Sequence, residues 1–185
     1  MLWRLSLPKI NKAQAGFTLL ELIIVMVILG ILAVYAIPRF SGASGYSEYT
    51  YQNRLITVLR NMQIRAMQDS RPNFCHQINF LNTSSQAAFG PASTNYATGN
   101  AAATCAATID FTAPEFLRTT PNEISDSNVA MSVLDGATAI GTIGFNSFGS
   151  PLSSASSCSA GCSVTFTGES AVRVCIESQG YIHAC

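Results

Sequence analysis

Hydrophobic positions divide the 185-residue chain into three parts. Residues 17–37 form a nearly continuous apolar run, and a helix of that length, rising ~1.5 Å per residue, spans a hydrocarbon core of about 30 Å. Apolar residues then recur at the spacing of one helix face. These are Leu55, Leu59, Met62 and Ala66. After Pro72 the pattern changes to short β-prone runs between polar, glycine-containing connections.

The first two parts predict one long, bent helix from Phe17 to about Ser70. Pro38 and the weak helix formers after it favour a kink without ending the helix. Pro72 disfavours helical geometry in the residue before it, so the helix is expected to stop near Ser70. Residues 17–37 would be the transmembrane or filament-core half, and residues 38–70 the half packed on a globular head.

Residues 71–185 predict a small antiparallel β-sheet or sandwich, which makes the expected fold class α+β. Val172, Val174 and Ile176 alternate with polar positions before a Ser-Gln-Gly turn, so the last two strands are expected to form a hairpin. Residues 84–107 and 147–161 are expected to be loops. The predicted strands are Cys75 to Phe80, Thr108 to Phe111, Val129 to Leu134, Thr142 to Phe145, Ser163 to Thr167, Ala171 to Glu177 and Tyr181 to Ala184.

Glu21 is the one formal charge in the apolar run. A lone carboxylate raises the free energy of membrane insertion by roughly 2.5–3.5 kcal/mol at the centre of a helix and by less near its end. Such a residue is therefore expected to pair with an opposite charge or to have a function. Glu21 closes the sequence GFTLLE, which begins with the junction between Gly16 and Phe17. This arrangement resembles the processing site of the type IV pilin and type II secretion pseudopilin superfamily.

The resemblance implies cleavage after Gly16 by a membrane peptidase, N-methylation of the new terminal residue Phe17, and docking of the subunit into a filament through Glu21. The Phe17 amine could neutralise Glu21 of a staggered neighbour. A plain signal-anchor helix and a secretory signal removed whole are the alternatives. The apolar run exceeds the 7–15 residues of a signal h-region, which disfavours removal.

Residues 1–16 would then be a leader, and its charges are three basic residues without an acid. Positive charge beside a membrane helix stays cytoplasmic, so the head is expected in the periplasm of a bacterium whose inner membrane the chain crosses once. The predicted domains are this leader, the helix halves 17–37 and 38–70, and the head at 71–185.

Six cysteines all follow the apolar run. In an oxidising exported compartment they are expected to form disulfides, but six thiols allow 15 pairings and the sequence does not choose among them. Cys158 and Cys162 permit a small local loop. No metal site is expected, because no C-x2-C pair is present and the two histidines lie far apart in sequence. The cysteines are Cys75, Cys105, Cys158, Cys162, Cys175 and Cys185.

No enzyme, cofactor or small-molecule substrate is expected, since the spacing of nucleophiles, bases and acids supports no catalytic arrangement. His76 is expected to be exposed beside an oxidised Cys75, and His183 to be a sheet residue. Nucleic-acid binding is the alternative from another class, and it depends on basic side chains that neutralise phosphates. Residues 119–185 carry one basic residue against five acids, so no nucleic-acid partner is expected.

The C-terminal third contains the runs GTIGFNSFGSP, CSVTFTG and AVRVCIESQGYI. These look like the head of pseudopilin H and FimT-like proteins, some of which bind DNA during uptake. The run ILGILAVYAIPRF is similar to pilins of the mannose-sensitive haemagglutinin type. Together these resemblances imply a minor pilin that helps to assemble or initiate a pilus, with cell adhesion among its roles. A type II secretion pseudopilin is the alternative within the class. The implied partners are membrane lipid, the prepilin peptidase and methylase, the inner-membrane assembly platform, and other pilins through the N-terminal helix.

Overall fold

The chain divides into two compact units, Met1–Gly42 and Ala43–Cys185. Helix α1, Leu19–Phe40, is the described element of the first unit, and all other described elements belong to the second. No helix in the described residues combines the length and hydropathy needed to cross a membrane. The computed structural model describes residues 17–40, 45–69, 76–83, 85–92, 106–155 and 157–185.

Two helices occupy the region for which one bent helix is predicted. Helix α1 contains Pro38, and helix α2 covers Ser47–Gln68 and is followed by an extended Asp69. The predicted end near Ser70 is therefore correct to within two residues. Residues 41–44 lie outside the described part of the chain, so the continuity of the helix stays a prediction, as does its bend.

The second unit contains two antiparallel sheets, which confirms the α+β class. The first sheet has the order β2-β1-β5-β6 and the second the order β4-β3-β7-β8-β9. The first is built from β1 (His76–Asn82), β2 (Ala87–Pro91), β5 (Thr142–Phe145) and β6 (Pro151–Ser153). The second is built from β3 (Ala130–Asp135), β4 (Thr138–Ala139), β7 (Cys162–Thr167), β8 (Ala171–Ile176) and β9 (Ile182–Ala184).

The terminal hairpin is confirmed, with β8 and β9 antiparallel and Ile176 opposite Ile182. Its turn is closed by the Gly180 N–H, which donates to the Glu177 carbonyl at 2.8 Å. Gly180 has a φ of 89°, the left-handed region that glycine adopts without penalty. A Cβ at this position would also overlap the carbonyl oxygen of Gly149 and lie 2.6 Å from Nε2 of Gln63.

Three strand predictions need correction. Strand β2 and strand β6 lie in segments predicted as loops, and Thr108 to Phe111 is not a strand. Only Ile109 makes an isolated bridge there, to Ala92. The physical reason is a turn at Asp110, whose Oδ1 accepts hydrogen bonds from the N–H and hydroxyl of Thr112 at 2.8 and 2.6 Å.

The apolar stripe of α2 packs against strands of both sheets. All four residues that the spacing selects are buried, and Leu55 and Leu59 are fully inaccessible. The ring of Tyr51 lies 6.0 Å from the ring of Phe166 on β7. Phe166 is fully buried and is also 6.3 Å from Phe89 on β2, so it joins the helix to both sheets.

Polar side chains of α2 bind main-chain carbonyl groups of the second sheet. Nε2 of Gln52 donates to the Arg173 carbonyl at 2.6 Å, and Nη2 of Arg60 donates to the Ile182 carbonyl at 2.7 Å. Nε2 of Gln63 donates to the carbonyl groups of two turns, at residues 149 and 180, at 2.8 and 2.7 Å. The helix is therefore held along its length by hydrogen bonds as well as by apolar packing.

Two buried amides on β1 hold the segment that follows the predicted loop. Asn79 donates through Nδ2 to the carbonyl groups of Ala106 and Thr108 at 2.6 and 2.8 Å. Gln77 donates to Oδ1 of Asn79 at 2.7 Å and to the Ala106 carbonyl at 3.1 Å. Burial of these amides is tolerated because their hydrogen-bonding groups are used.

Candidate assembly site

The start of α1 is fixed by a threonine cap. The helix begins at Leu19, two residues after the predicted start, and the N–H of Glu21 donates to Oγ1 of Thr18 at 3.2 Å. Thr18 and Glu21 have the T-x-x-E spacing of a capping box, in which a threonine oxygen accepts from the N–H of the third helical residue. This spacing is visible in the sequence and indicates a helix start at Thr18, one residue after the predicted Phe17.

Glu21 therefore lies in the first turn of the helix, where a negative charge interacts favourably with the helix dipole. This position gives Glu21 a local structural role that exists without any neighbouring subunit. A docking role must be tested against this local role. The cleavage position also needs a direct test, because Gly16 lies outside the described residues.

The described side chains of residues 17–33 are all exposed, and apart from Thr18, Glu21 and Gly30 they are apolar. Contiguous apolar surface of this extent is rare on a soluble monomer and marks a surface that another molecule or a lipid phase covers. Phe17, at the front of this surface, is 83 % exposed.

A buried carboxylate joins the first turn of α2 to the turn between β7 and β8. Glu48 is fully buried, and its Oε1 accepts a hydrogen bond from the Ser170 N–H at 3.0 Å. The N–H groups of Ser170, Glu48 and Glu169 lower the pKa of the Glu48 carboxyl, against the opposing effect of burial. A Cβ at Gly168 would overlap Oε1, so glycine at this position leaves room for the contact.

Arginine side chains of the head are used in internal contacts. Arg54 pairs with Glu123 on the short helix α3 (Glu123–Asp126) and donates to the carbonyl groups of Glu115 and Arg118. Arg60 binds a carbonyl of β9, as described above. These arginines stabilise the head, and their charges are not gathered into a free basic surface.

The described cysteines form two disulfides, Cys158–Cys162 and Cys175–Cys185, and none of them is free. The first closes the local loop that the spacing permits. The second ties the end of β8 to the residue after β9. Cys75 and Cys105 lie outside the described residues, so their pairing stays a prediction.

The two histidines have different surroundings. The prediction that His76 is exposed is wrong, because it is buried on β1 with its Nε2 3.1 Å from Oδ2 of Asp69. His183 lies on β9 as predicted and stacks on Tyr181 with ring centroids 4.7 Å apart. Hydrogen bonds to the Ala184 carbonyl and the Glu177 carboxylate raise the pKa of His183.

Comparison with known proteins places one family motif on this N-terminal segment. Residues 11–37 match the prokaryotic N-terminal methylation motif, a range that contains the GFTLLE sequence and most of α1. No curated protein and no solved structure matches the chain. The chain thus carries a prepilin-type N-terminal methylation motif, which supports a type IV pilin-like or pseudopilin protein.

Proposed function

We propose that the chain is a minor type IV pilin of the mannose-sensitive haemagglutinin type, a non-enzymatic structural subunit that acts in pilus assembly or initiation. The methylation motif at residues 11–37 and the exposed apolar surface of α1 support the pilin-like class. A filament subunit needs such a surface, because the helices of its neighbours cover it after it leaves the lipid. The finer assignment is supported by the similarity of residues 28–40 to pilins of that type.

In this mechanism the prepilin peptidase cuts between Gly16 and Phe17 and the Phe17 amine is methylated. Before assembly the leader is cytoplasmic, α1 spans the inner membrane and the head is periplasmic. The assembly platform then transfers α1 from lipid to the pilus, where backbone groups stay satisfied within the helix throughout. Glu21 pairs with the Phe17 amine of a neighbouring subunit, which compensates two charges that are costly in an apolar environment.

A type II secretion pseudopilin is the second candidate, because the methylation motif supports a pseudopilin as well as a pilin. The same subunit chemistry would then build a short periplasmic pseudopilus. A FimT-like role in DNA uptake receives no support from Arg54 and Arg60, whose guanidinium groups bind the head itself.

The test replaces Glu21 by leucine in a strain that lacks the wild-type copy. Removing one partner of a desolvated ion pair costs on the order of 3–5 kcal/mol, so Glu21→Leu should be processed and membrane-bound but poorly incorporated into filaments. Intact mass spectrometry checks cleavage before Phe17 and its methylation, and immunoelectron microscopy counts filaments that contain the variant.

Thr18→Ala is the matched control, because it removes the cap of α1 and leaves the carboxylate in place. Loss of a cap costs roughly 0.5–2 kcal/mol of helix stability. If Glu21 acts in docking, Thr18→Ala should assemble nearly normally. Normal incorporation of Glu21→Leu, or an equal defect in both variants, would contradict the docking role. A retained leader in filaments would contradict processing at Gly16.

A further inference from the structure

A carboxylate lies beside a disulfide at the start of β7, within the head. One oxygen of Asp135 and the two bonded sulfur atoms of Cys158 and Cys162 lie within 4.8 Å of one another. All three residues are buried. Asp135 and Cys162 are directly paired across β3 and β7, so the sheet itself fixes their separation.

The carboxylate of Asp135 is held in a defined orientation. Its Oδ2 accepts a hydrogen bond from the Ser153 hydroxyl at 2.7 Å and from the Cys158 N–H at 3.3 Å. Hydrogen bonds of this kind orient the ligands of metal sites and strengthen metal binding. The carboxylate thus lies beside both sulfur atoms without depending on a metal to hold it there.

We propose that the reduced form of the Cys158–Cys162 loop binds Zn²⁺ through these two sulfur atoms and the Asp135 carboxylate. Two thiolates and one carboxylate are a ligand set that zinc accepts, and a water molecule would complete the tetrahedral coordination. The oxidised loop is the resting form and binds no zinc, because disulfide sulfur carries no thiolate charge. The site makes the loop responsive to both thiol reductants and zinc.

Reduction of the Cys158–Cys162 disulfide requires a dithiol reductant. The reductant supplies two electrons and two protons to the bond between Cys158 and Cys162 and becomes a disulfide itself. The two new thiols release their protons to solvent as the thiolates bind the ion, so zinc binding by the reduced loop should become tighter as the pH rises. The Asp135 carboxylate contributes the third ligand.

The test measures zinc binding by the full chain in detergent micelles, with and without anaerobic pretreatment by dithiothreitol followed by its removal. Competition against a chromophoric chelator gives the stoichiometry and affinity. The matched control is the double variant Cys158→Ser/Cys162→Ser, which keeps the other four cysteines and is reduced in the same way. Cobalt replaces zinc in a parallel experiment, because thiolate ligation produces a charge-transfer absorption band.

We expect one additional equivalent of zinc on the reduced wild-type chain relative to the reduced control, and none on the oxidised chain. Asp135→Asn should weaken that binding by roughly tenfold or more. Zinc should also raise the Tm of the reduced wild type but not of the reduced control, because a ligand that binds the folded chain stabilises it. The Tm difference with and without zinc can be measured even if reduction itself lowers the stability of the loop. Equal zinc uptake by wild type and control, or unchanged affinity in Asp135→Asn, would overturn the proposed site.

Discussion

Replacing Glu48 by glutamine tests whether a buried charge holds helix α2 on the second sheet. The two side chains have the same shape, so the change removes the charge and replaces one oxygen by an NH₂ group. Oε1 of Glu48 accepts from the Ser170 N–H, while Oε2 is buried and has no hydrogen-bond partner in the described part of the chain. Glutamine must place its NH₂ group at one of these two positions.

These contacts determine how much Glu48→Gln lowers the free energy of unfolding. A hydrogen bond to a charged group contributes about 1.5–3 kcal/mol and a neutral one roughly 0.5–1.5, so neutralising the acceptor of the Ser170 N–H loses about 1 kcal/mol. An NH₂ group at the Oε2 position would be a buried donor without an acceptor, which costs about 1–3 kcal/mol more. We therefore expect Glu48→Gln to lower the free energy of unfolding by about 2–4 kcal/mol at pH 7.

The pH dependence provides an independent check. The pKa of Glu48 is lowered in the folded chain, so its contribution to stability is fully present above the ordinary glutamate pKa of about 4.3. That contribution is lost as the pH falls through the folded value, because the wild-type carboxyl then also becomes neutral. The difference in stability between wild type and Glu48→Gln should therefore shrink below about pH 4.

The measurement is a urea titration of the full chain in detergent micelles, followed by near-ultraviolet circular dichroism at several pH values. Glu115→Gln is the control, because Glu115 is exposed on the 3-10 helix Glu115–Leu117 and the change should alter stability by less than about 0.5 kcal/mol. The reasoning is refuted if Glu48→Gln is as stable as Glu115→Gln at pH 7, or if its deficit does not depend on pH.

Two further predictions concern the head. The double variant Cys175→Ser/Cys185→Ser opens a loop with a sequence separation of 10. Loop-closure entropy predicts that the free energy of unfolding falls by about 2.7 kcal/mol at 25 °C, which the same urea titration measures. An unchanged midpoint would mean that the bond does not constrain the unfolded chain. Phe166→Ala should lower the free energy of unfolding by about 3–5 kcal/mol, because this buried ring joins α2 to both sheets. The control Phe148→Ala, at an exposed turn, should stay within about 0.5 kcal/mol of wild type. Similar losses in both variants would contradict the described core.

The spacing of apolar residues along the chain predicted the elements that bury one face and expose the other. The stripe containing Leu55 and Leu59 identified the buried face of α2, and the alternation of Val172 and Val174 identified β8. Both patterns arise because one face of the element is buried and the other is not. A single chain shows such patterns without knowledge of the partner surface.

Strand β2 and the Glu48 contact could not be predicted in the same way. Strand β2 reads Ala-Ala-Phe-Gly-Pro and is buried at every position, so it shows no alternation. Phe89 is its one strong β-forming residue, and alanine, glycine and proline are depleted in strands. Tertiary pairing with β1 makes it a strand. Glu48 resembles an ordinary exposed acid near a helix start, and its burial follows from a turn more than a hundred residues later in the chain.

In the candidate site, the sequence pattern located the apolar surface and Glu21, because both depend on local composition. Thr18 was detectable from its spacing to Glu21. The cluster of Asp135 with Cys158 and Cys162 was not detectable, because the carboxylate reaches the sulfur atoms only through the pairing of β3 with β7. Long-range strand register is the information that a single sequence does not supply.

The way α2 is held has a consequence for how far this head can diverge in sequence. Its polar side chains recognise carbonyl groups that every amino acid possesses, including those of Arg173 and Glu115, whose own side chains are exposed. Substitutions at these two positions can therefore change the outer surface without loosening the helix. Position 180 is constrained in the opposite way, because a Cβ there would overlap the backbone carbonyl oxygen of Gly149 and the φ of 89° favours glycine. We expect natural variants to differ freely at 115 and 173 while retaining Gly180.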